Sequence, residues 1–332
     1  MKLLKWLAVI VLVLTVVYFL GPRPSTPKYT TELPIISGEG VALDSFVAKQ
    51  EARFKLKPDN EARILWANDS AKSVTEYAVV YLHGFSACQE EGDPVHYDFA
   101  QKFGCNLYLS RLDAHGLDTT EPLVSFTAAG AWQTAKEAYA IGKKLGKKVI
   151  LMSTSTGGTL ALKLAAEYPE IAGLILLSPN IEINDPNAWL LNNHWGLQIA
   201  RLVKGKYNVI ADSTPVYAQY WNRRYRMEAT VQLEELLETT MKASVLNKVK
   251  QPVLLLYYFK DEEHQDKVVK VSAMKRMFNQ LGTDTTLKRQ VPVPNAGDHV
   301  LGSYVKSKDI ATVQAECEKF AVDILKMKEV SN

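Results

Sequence analysis

Ser155 closes the run Val149-Ile-Leu-Met-Ser153-Thr-Ser155-Thr-Gly157-Gly158, where an apolar segment gives way to small residues just ahead of the amphipathic stretch Thr159 to Glu167. A strand that ends here and turns sharply into a helix lifts one side chain clear of the sheet. The turn demands small neighbours, because its backbone is strained and closely approached on both sides. A serine hydroxyl mounted this way attacks a carbonyl carbon once a nearby base takes its proton and a carboxylate orients that base. The usual spacing is G-x-S-x-G. Ser153 stands where the first glycine is expected, so the turn must accommodate an extra Cβ and hydroxyl. Taken alone, Ser-Thr-Ser-Thr-Gly-Gly also describes a polar turn after a buried strand; the order of the other chemistry-bearing residues separates the two readings.

The base must sit at a strand end. His299, in Asn295-Ala-Gly-Asp-His299, follows the last strand candidate and precedes the final helix candidate, so it is placed to swing over the sheet toward Ser155. The carboxylate is expected from the loop after the preceding strand, Phe259-Lys-Asp261-Glu-Glu-His-Gln-Asp266-Lys-Val-Val269. Asp266 is the first choice, since Asp-x-Val-Val starts a turn whose valines dock back on the core; Asp261 is the runner-up. His264 within this acidic cluster has no defined ligand spacing, and a solvated loop explains it better than a metal site. Two backbone amides would hold the developing oxyanion: that of Phe85, exposed by the turn Tyr81-Leu-His83-Gly84-Phe85-Ser86, and that of Thr156, next to the nucleophile at a helix N-terminus. His83 is expected to fix its loop and His115 to serve as a structural residue or pocket wall.

These residues need a scaffold that brings several strand ends together. Apolar or alternating runs recur at 62–67, 77–82, 105–110, 149–152, 173–177, 253–258 and 286–293, with amphipathic stretches at 130–145, 159–167, 272–280 and 309–327. Such alternation predicts an α/β fold with a mostly parallel sheet covered by helices on both faces. Between Ser178-Pro179 and Gln251-Pro252 no clear buried strand occurs, and Trp189, Trp195, Trp221, Tyr217, Tyr220 and Tyr225 gather there. This interval is read as a helical cap at 180–246, some of whose aromatics glue it to the core. The core itself is assigned to 35–179 and 247–332.

A 332-residue chain with 47% hydrophobic residues suffices for one large core with an insertion. Its net charge of +3 implies no nucleic-acid partner, and no phosphate-binding glycine motif suggests a cofactor. Lys2 and Lys5 precede an uncharged run, Trp6 to Leu20, that stops at Gly21-Pro22-Arg23-Pro24. Residues 1–21 are read as an uncleaved membrane anchor with the remainder translocated, secretion after signal cleavage being the alternative. Residues 22–34, rich in Pro, Thr and Ser, are read as a linker. Cys88 and Cys105 either pair or remain buried thiols, and with Cys317 they form no metal spacing.

Together, His83-Gly-Phe-Ser86, Arg111-Leu-Asp-Ala-His-Gly116, the Ser153–Gly157 turn, Asp266-Lys-Val-Val269 and Gly297-Asp-His299 follow the order nucleophile, acid, histidine. In this the chain resembles the α/β-hydrolase superfamily, more narrowly its monoacylglycerol lipase and carboxylesterase group, from about Ala62 to the C-terminal helix. The resemblance implies an eight-stranded sheet, a helical cap after the strand ending near Leu177, and ester hydrolysis through an acyl-enzyme. The expected substrate is a small-molecule ester with a hydrophobic acyl group, with no cofactor and no metal. An amidase or peptidase on the same fold, and a catalytically silent binding protein, are the alternatives.

Overall fold

A computed structural model describes residues 2–330 of the chain. Helix α1 (Lys2–Phe19) and helix α2 (Val41–Glu51) come first, followed by β1 (Arg63–Leu65), β2 (Thr75–Leu82), α3 (Val95–Lys102), β3 (Asn106–Leu109), α4 (Ala128–Leu145), β4 (Gly146–Thr154), α5 (Thr156–Glu167) and β5 (Gly173–Leu177). An insert then carries α6 (Gly196–Lys204), β6 (Tyr207–Val209), α7 (Pro215–Tyr220), β7 (Arg224–Arg226), α8 (Met227–Thr240) and α9 (Ala243–Leu246). The main sheet resumes with β8 (Val253–Tyr257), α10 (Val271–Gln280), β9 (Lys288–Pro292) and α11 (Ile310–Asp323).

Seven strands form that sheet, in the order β1-β3-β2-β4-β5-β8-β9. β1 runs antiparallel to β3, and every other neighbouring pair is parallel. The expected eighth strand is absent among the described residues. The chain ahead of β1 forms α2 instead, whose buried Leu43 and Val47 fall at the i, i+4 spacing of a helix face.

Apolar runs set the strands. Gly-Leu-Ile-Leu-Leu in β5 and Val-Leu-Leu-Leu-Tyr in β8 are buried at every residue, as strands covered on both faces must be. Alternation along β2 sends Ala78, Val80 and Leu82 into one core, shared with α4 and α5, and Val79 and Tyr81 into the other, shared with α3 and α11. Each fully buried Leu or Ile contributes about 1.5–3 kcal/mol, whereas exposed ion pairs such as Lys55–Asp118 are screened by water and salt and add little. Burial therefore dominates the packing of the layers. One consequence matters for chemistry. Parallel pairing in the registers Leu82↔Ser153, Leu177↔Leu256 and Tyr257↔Pro292 gathers the carboxyl ends of β2, β4, β5, β8 and β9 along a single edge.

The insert is mainly helical, with one addition: β6 and β7 pair antiparallel as a short ladder. In Arg224-Tyr225-Arg226 only the central tyrosine is buried, a period-two pattern too short to stand out in the sequence. Tyr220 Oη donates to Asp59 at 2.8 Å and Lys57 Nζ to the Ala218 and Trp221 carbonyls at 3.1 and 3.2 Å, which ties this part of the insert to the loop before β1.

Helix α1 has no buried residue and a mean hydropathy of 2.1, and its length and composition suffice to cross a bilayer. Its end rests on the insert: the Trp195 indole donates to the Val17 carbonyl at 3.0 Å, and His194 Nδ1 lies 2.6 Å from the Gly21 carbonyl. The segment expected to be a linker is held rather than free over Thr30–Glu32. Trp132 Nε1 donates to the Thr30 carbonyl at 2.7 Å, Lys136 Nζ to the Glu32 carbonyl at 2.8 Å and Tyr168 Oη to the Thr31 carbonyl at 2.6 Å. An extended strip with no ladder partner leaves its carbonyls open, and buried side-chain donors take them.

Candidate active site

The turn from β4 into α5 places Ser155 at φ 53° and ψ −118°, a left-handed conformation that a non-glycine residue adopts only when its surroundings impose it. They do so through hydrogen bonds and close packing. The Ser155 amide donates to the Leu177 carbonyl at 3.0 Å, and its carbonyl accepts from Gly158 at 2.8 Å and Asn180 at 2.9 Å. A Cβ on Gly157 would lie 1.9 Å from the Leu82 carbonyl oxygen, and one on Gly158 would lie 2.5 Å from Pro179 Cβ and 2.9 Å from Pro179 Cα. Both glycines are therefore fixed by backbone approach. Ser153 fits where the first glycine was expected because its hydroxyl turns away, toward the Ile175 carbonyl at 3.4 Å.

His299 and Asp266 meet as the sequence led one to expect. Asp266 Oδ2 lies 2.6 Å from His299 Nδ1, while Oδ1 accepts from the amides of Val268 and Val269 at 2.8 and 3.0 Å. Only Val269 returns to the core; Val268 stays exposed. The length of the acid loop is explained by its path. A bridge between Phe259 and Gln265 closes the intervening residues into an excursion, and the Asp266 amide then donates back to the Tyr258 carbonyl at 3.2 Å. Asp261 lies out on that excursion, exposed, and pairs with His264 at 2.8 Å. The structure brings Asp266 to His299 and leaves Asp261 away from it.

Burial opposes the charged form of His299, but the charge and hydrogen bond of Asp266, with Glu91 and Asp298 adding to them, outweigh it and raise the pKa above the ordinary histidine value. Its Nε2 is buried and has no hydrogen-bond partner among the described residues. Ser155, His299 and Phe85 line one cavity of about 660 Å³, within the usual range for small-molecule sites. The insert supplies much of its apolar wall, including Leu191, Ile199, Val203, Tyr217, Trp221 and Tyr225.

The amides of Phe85 and Thr156 make no hydrogen bond among the described residues, so both remain available to an incoming anion. The loop that carries Phe85 is braced by two histidines. His83 Nε2 accepts from the Leu112 amide at 3.0 Å, leaving Nδ1 to donate to the Gly84 carbonyl at 2.8 Å. His115 Nε2 accepts from the Ser86 amide at 2.9 Å, leaving Nδ1 to donate to the Asp113 carbonyl at 2.7 Å. Burial pushes His83 down to about 4 and His115 well below its ordinary value, so both stay neutral braces.

One acid that lines the cavity escaped the sequence reading. Glu91, in a short 3-10 turn after the loop, reaches back so that its carboxylate accepts from the Gly84 amide, and it lines the same cavity. Two adjacent glutamates after a His-Gly turn look like a solvated surface, and nothing in their spacing signals the reach. Among the described residues no group of His, Cys, Asp and Glu is arranged to hold a metal. Cys88, Cys105 and Cys317 are free and buried.

A family model described as "Serine aminopeptidase, S33" matches residues 132–290. No curated protein sequence matches the chain. Among solved structures, the chain is similar to a lipolytic enzyme of the metagenome-derived LipS and LipT pair, at 18% identity and a TM-score of 0.63 over 80% of this chain and 98% of that one. Est1E from Butyrivibrio proteoclasticus with ferulic acid bound is similar at 15% identity and a TM-score of 0.55, over 80% and 95%. A monoacylglycerol lipase from Paleococcus ferrophilus follows at 14% identity and 0.53, over 77% and 98%. At these identities the likeness is one of fold.

Proposed function

The chain is an α/β-hydrolase by fold, and from that premise we propose that it is a serine hydrolase of carboxylic esters. The observation that carries the proposal is the state of His299: one ring nitrogen is bound to Asp266, and the other is buried, unpartnered and beside the cavity that Ser155 lines. In this reading Ser155 attacks the ester carbonyl while His299 Nε2 takes its proton. Asp266 holds the imidazole in the tautomer that leaves Nε2 free to accept, and it stabilises the imidazolium that forms. Phe85 and Thr156 amides receive the oxyanion, each such donor being worth about 10²–10³-fold in kcat. His299 then protonates the departing alcohol, and water, activated by the same base, cleaves the acyl-enzyme. His299 Nε2 makes no hydrogen bond to Ser155 among the described residues, which is no obstacle, since catalytic hydrogen bonds often tighten only once substrate is bound.

Residues 180–246 act as a cap whose apolar side faces the acyl chain, which favours hydrophobic acyl groups. The apolar, unburied α1 with Lys2 and Lys5 at its start supports the reading of an N-terminal anchor with the catalytic domain on the far side of the membrane; a signal sequence is the other use of such a segment. A second reading, amide or peptide hydrolysis, draws on the family description. Turnover of p-nitrophenyl esters of graded chain length beside amides of the same acids separates the two. The proposal expects ester turnover at least tenfold above amide turnover, with a rise in kcat/KM from acetyl to medium chains; amide turnover equal to or above ester turnover would move the assignment to the second reading.

A further inference from the structure

We propose that Glu91 is a further catalytic residue of this site: an uncharged carboxylic acid whose Oε1–H donates a hydrogen bond to the oxyanion forming beside Ser155. The proposal rests on the serine-hydrolase reading and adds a donor to it. Its basis is position. A Cβ built on Gly84 would lie 2.8 and 2.9 Å from the two Glu91 carboxylate oxygens and 3.0 Å from Ser155 Cβ, so acid and nucleophile flank the same point. Oε2 is occupied by the Gly84 amide, which also fixes the peptide immediately before Phe85. Trp221 also hydrogen-bonds this carboxyl group, but a protonated Oε1 keeps its own O–H to donate, and Glu91 lines the cavity.

Charge decides what such a group can do. Negative charge develops on the substrate oxygen during attack, and in a water-poor site an ionised carboxylate beside it repels that charge strongly, whereas a neutral acid donates to it. Ionisation of Glu91 and stabilisation of the oxyanion are therefore mutually exclusive. With only 3% of the residue exposed, burial resists ionisation, and it pushes the carboxyl up to about 7 against the lowering effects of Gly84, His299 and Trp221. The groups facing Glu91 are His299 and Asp298 from the loop after β9, Tyr217 and Trp221 from the insert, Tyr81 from β2, and Cys88 of its own turn. Of these, only His299 can become a cation. The two titrate as a coupled pair, and the competent form has neutral His299 with protonated Glu91. During attack the Ser155 Oγ–carbon bond forms, the Ser155 proton passes to His299 Nε2, and the carbonyl π pair moves onto oxygen. The Glu91 proton stays on Oε1, shared with that oxygen. On collapse the bond to the leaving alcohol breaks and His299 returns its proton to it.

Glu91→Gln tests this, because an amide still accepts from Gly84 and still offers a donor to the cavity but cannot ionise. Wild-type kcat should fall about tenfold per pH unit above the titration of the acid, while Glu91→Gln stays level within about twofold from pH 7 to 9. Independently of turnover, infrared spectra of the full chain at pH 6 should contain a carboxylic-acid carbonyl stretch that is missing in Glu91→Gln and disappears from wild type as pH rises. Glu234, the other buried carboxyl raised to about 7, is removed from the comparison with Glu234→Gln, which also permits the wild-type band to be followed if Glu91→Gln fails to fold. Superimposable pH profiles, or no acid band at pH 6, would overturn the proposal. A Ser155→Ala control that still hydrolyses ester would bring down the serine-hydrolase reading along with it, whereas an inactive control beside unchanged pH profiles brings down only the role of Glu91.

Discussion

The two aspartates of one loop show what single residues decide. Asp266 is buried against His299, and Asp261 is solvated on the excursion. Under the proposed mechanism, Asp266→Asn leaves the imidazole in the wrong tautomer and should lower kcat by on the order of 10³–10⁴ with KM little changed. Asp261→Asn should retain wild-type kcat within about twofold, as a surface change. Steady-state kinetics at saturating ester near neutral pH measure both, and a silent Asp261 variant beside an active Asp266 variant would reverse the roles. Ser155, His299 and Asp266 were legible because each stands at the end of an apolar run, where the chain must turn at the sheet edge. Glu91 was not, because a side chain reaching back seven residues to a backbone amide leaves no mark in composition or periodicity.

At the scale of elements, the turn between β4 and α5 depends on backbone approach more than on the G-x-S-x-G pattern itself. Gly157→Ala would drive a methyl group into the Leu82 carbonyl, which cannot move without shifting β2. The expected cost is about 1–3 kcal/mol or more, seen as a drop of several degrees in the melting temperature, with activity reduced as well. Ser153→Gly removes a long hydrogen bond and a small Cβ at the end of β4 and should cost at most about 1 kcal/mol with activity largely kept. Equal tolerance at the two positions in calorimetry and ester assays would count against the described turn. The inner strands of the main sheet were legible from their continuous apolar runs, since strands buried on both faces admit little else, and the half-buried edge strands β1 and β9 from shorter, mixed runs. Helix α2 was missed because only Leu43 and Val47 mark its buried face, and α3 because a buried histidine, His96, sits among its core residues. The small β6–β7 ladder was hidden by its exposed arginines.

For the whole molecule, the sequence conveyed a sheet edge that collects chemistry beneath an aromatic insertion, but not how the N-terminal strip lies. Thr30–Glu32 belongs to the packed structure through Trp132, Lys136 and Tyr168, while α1 is unburied. Removing residues 2–21 should therefore yield a soluble, folded protein, whereas cutting on through Glu32 should strip partners from three buried donors and destabilise it. That shortened protein is the material for the most direct test of the central claim, that Ser155 is an activated nucleophile. The measurement is mass-spectrometric mapping of the adduct formed with a fluorophosphonate, on wild type and Ser155→Ala side by side. The account predicts one stoichiometric adduct on the peptide containing Ser155, absent from the Ser155→Ala protein; labelling of Ser153 instead, or undiminished labelling of Ser155→Ala, would contradict it.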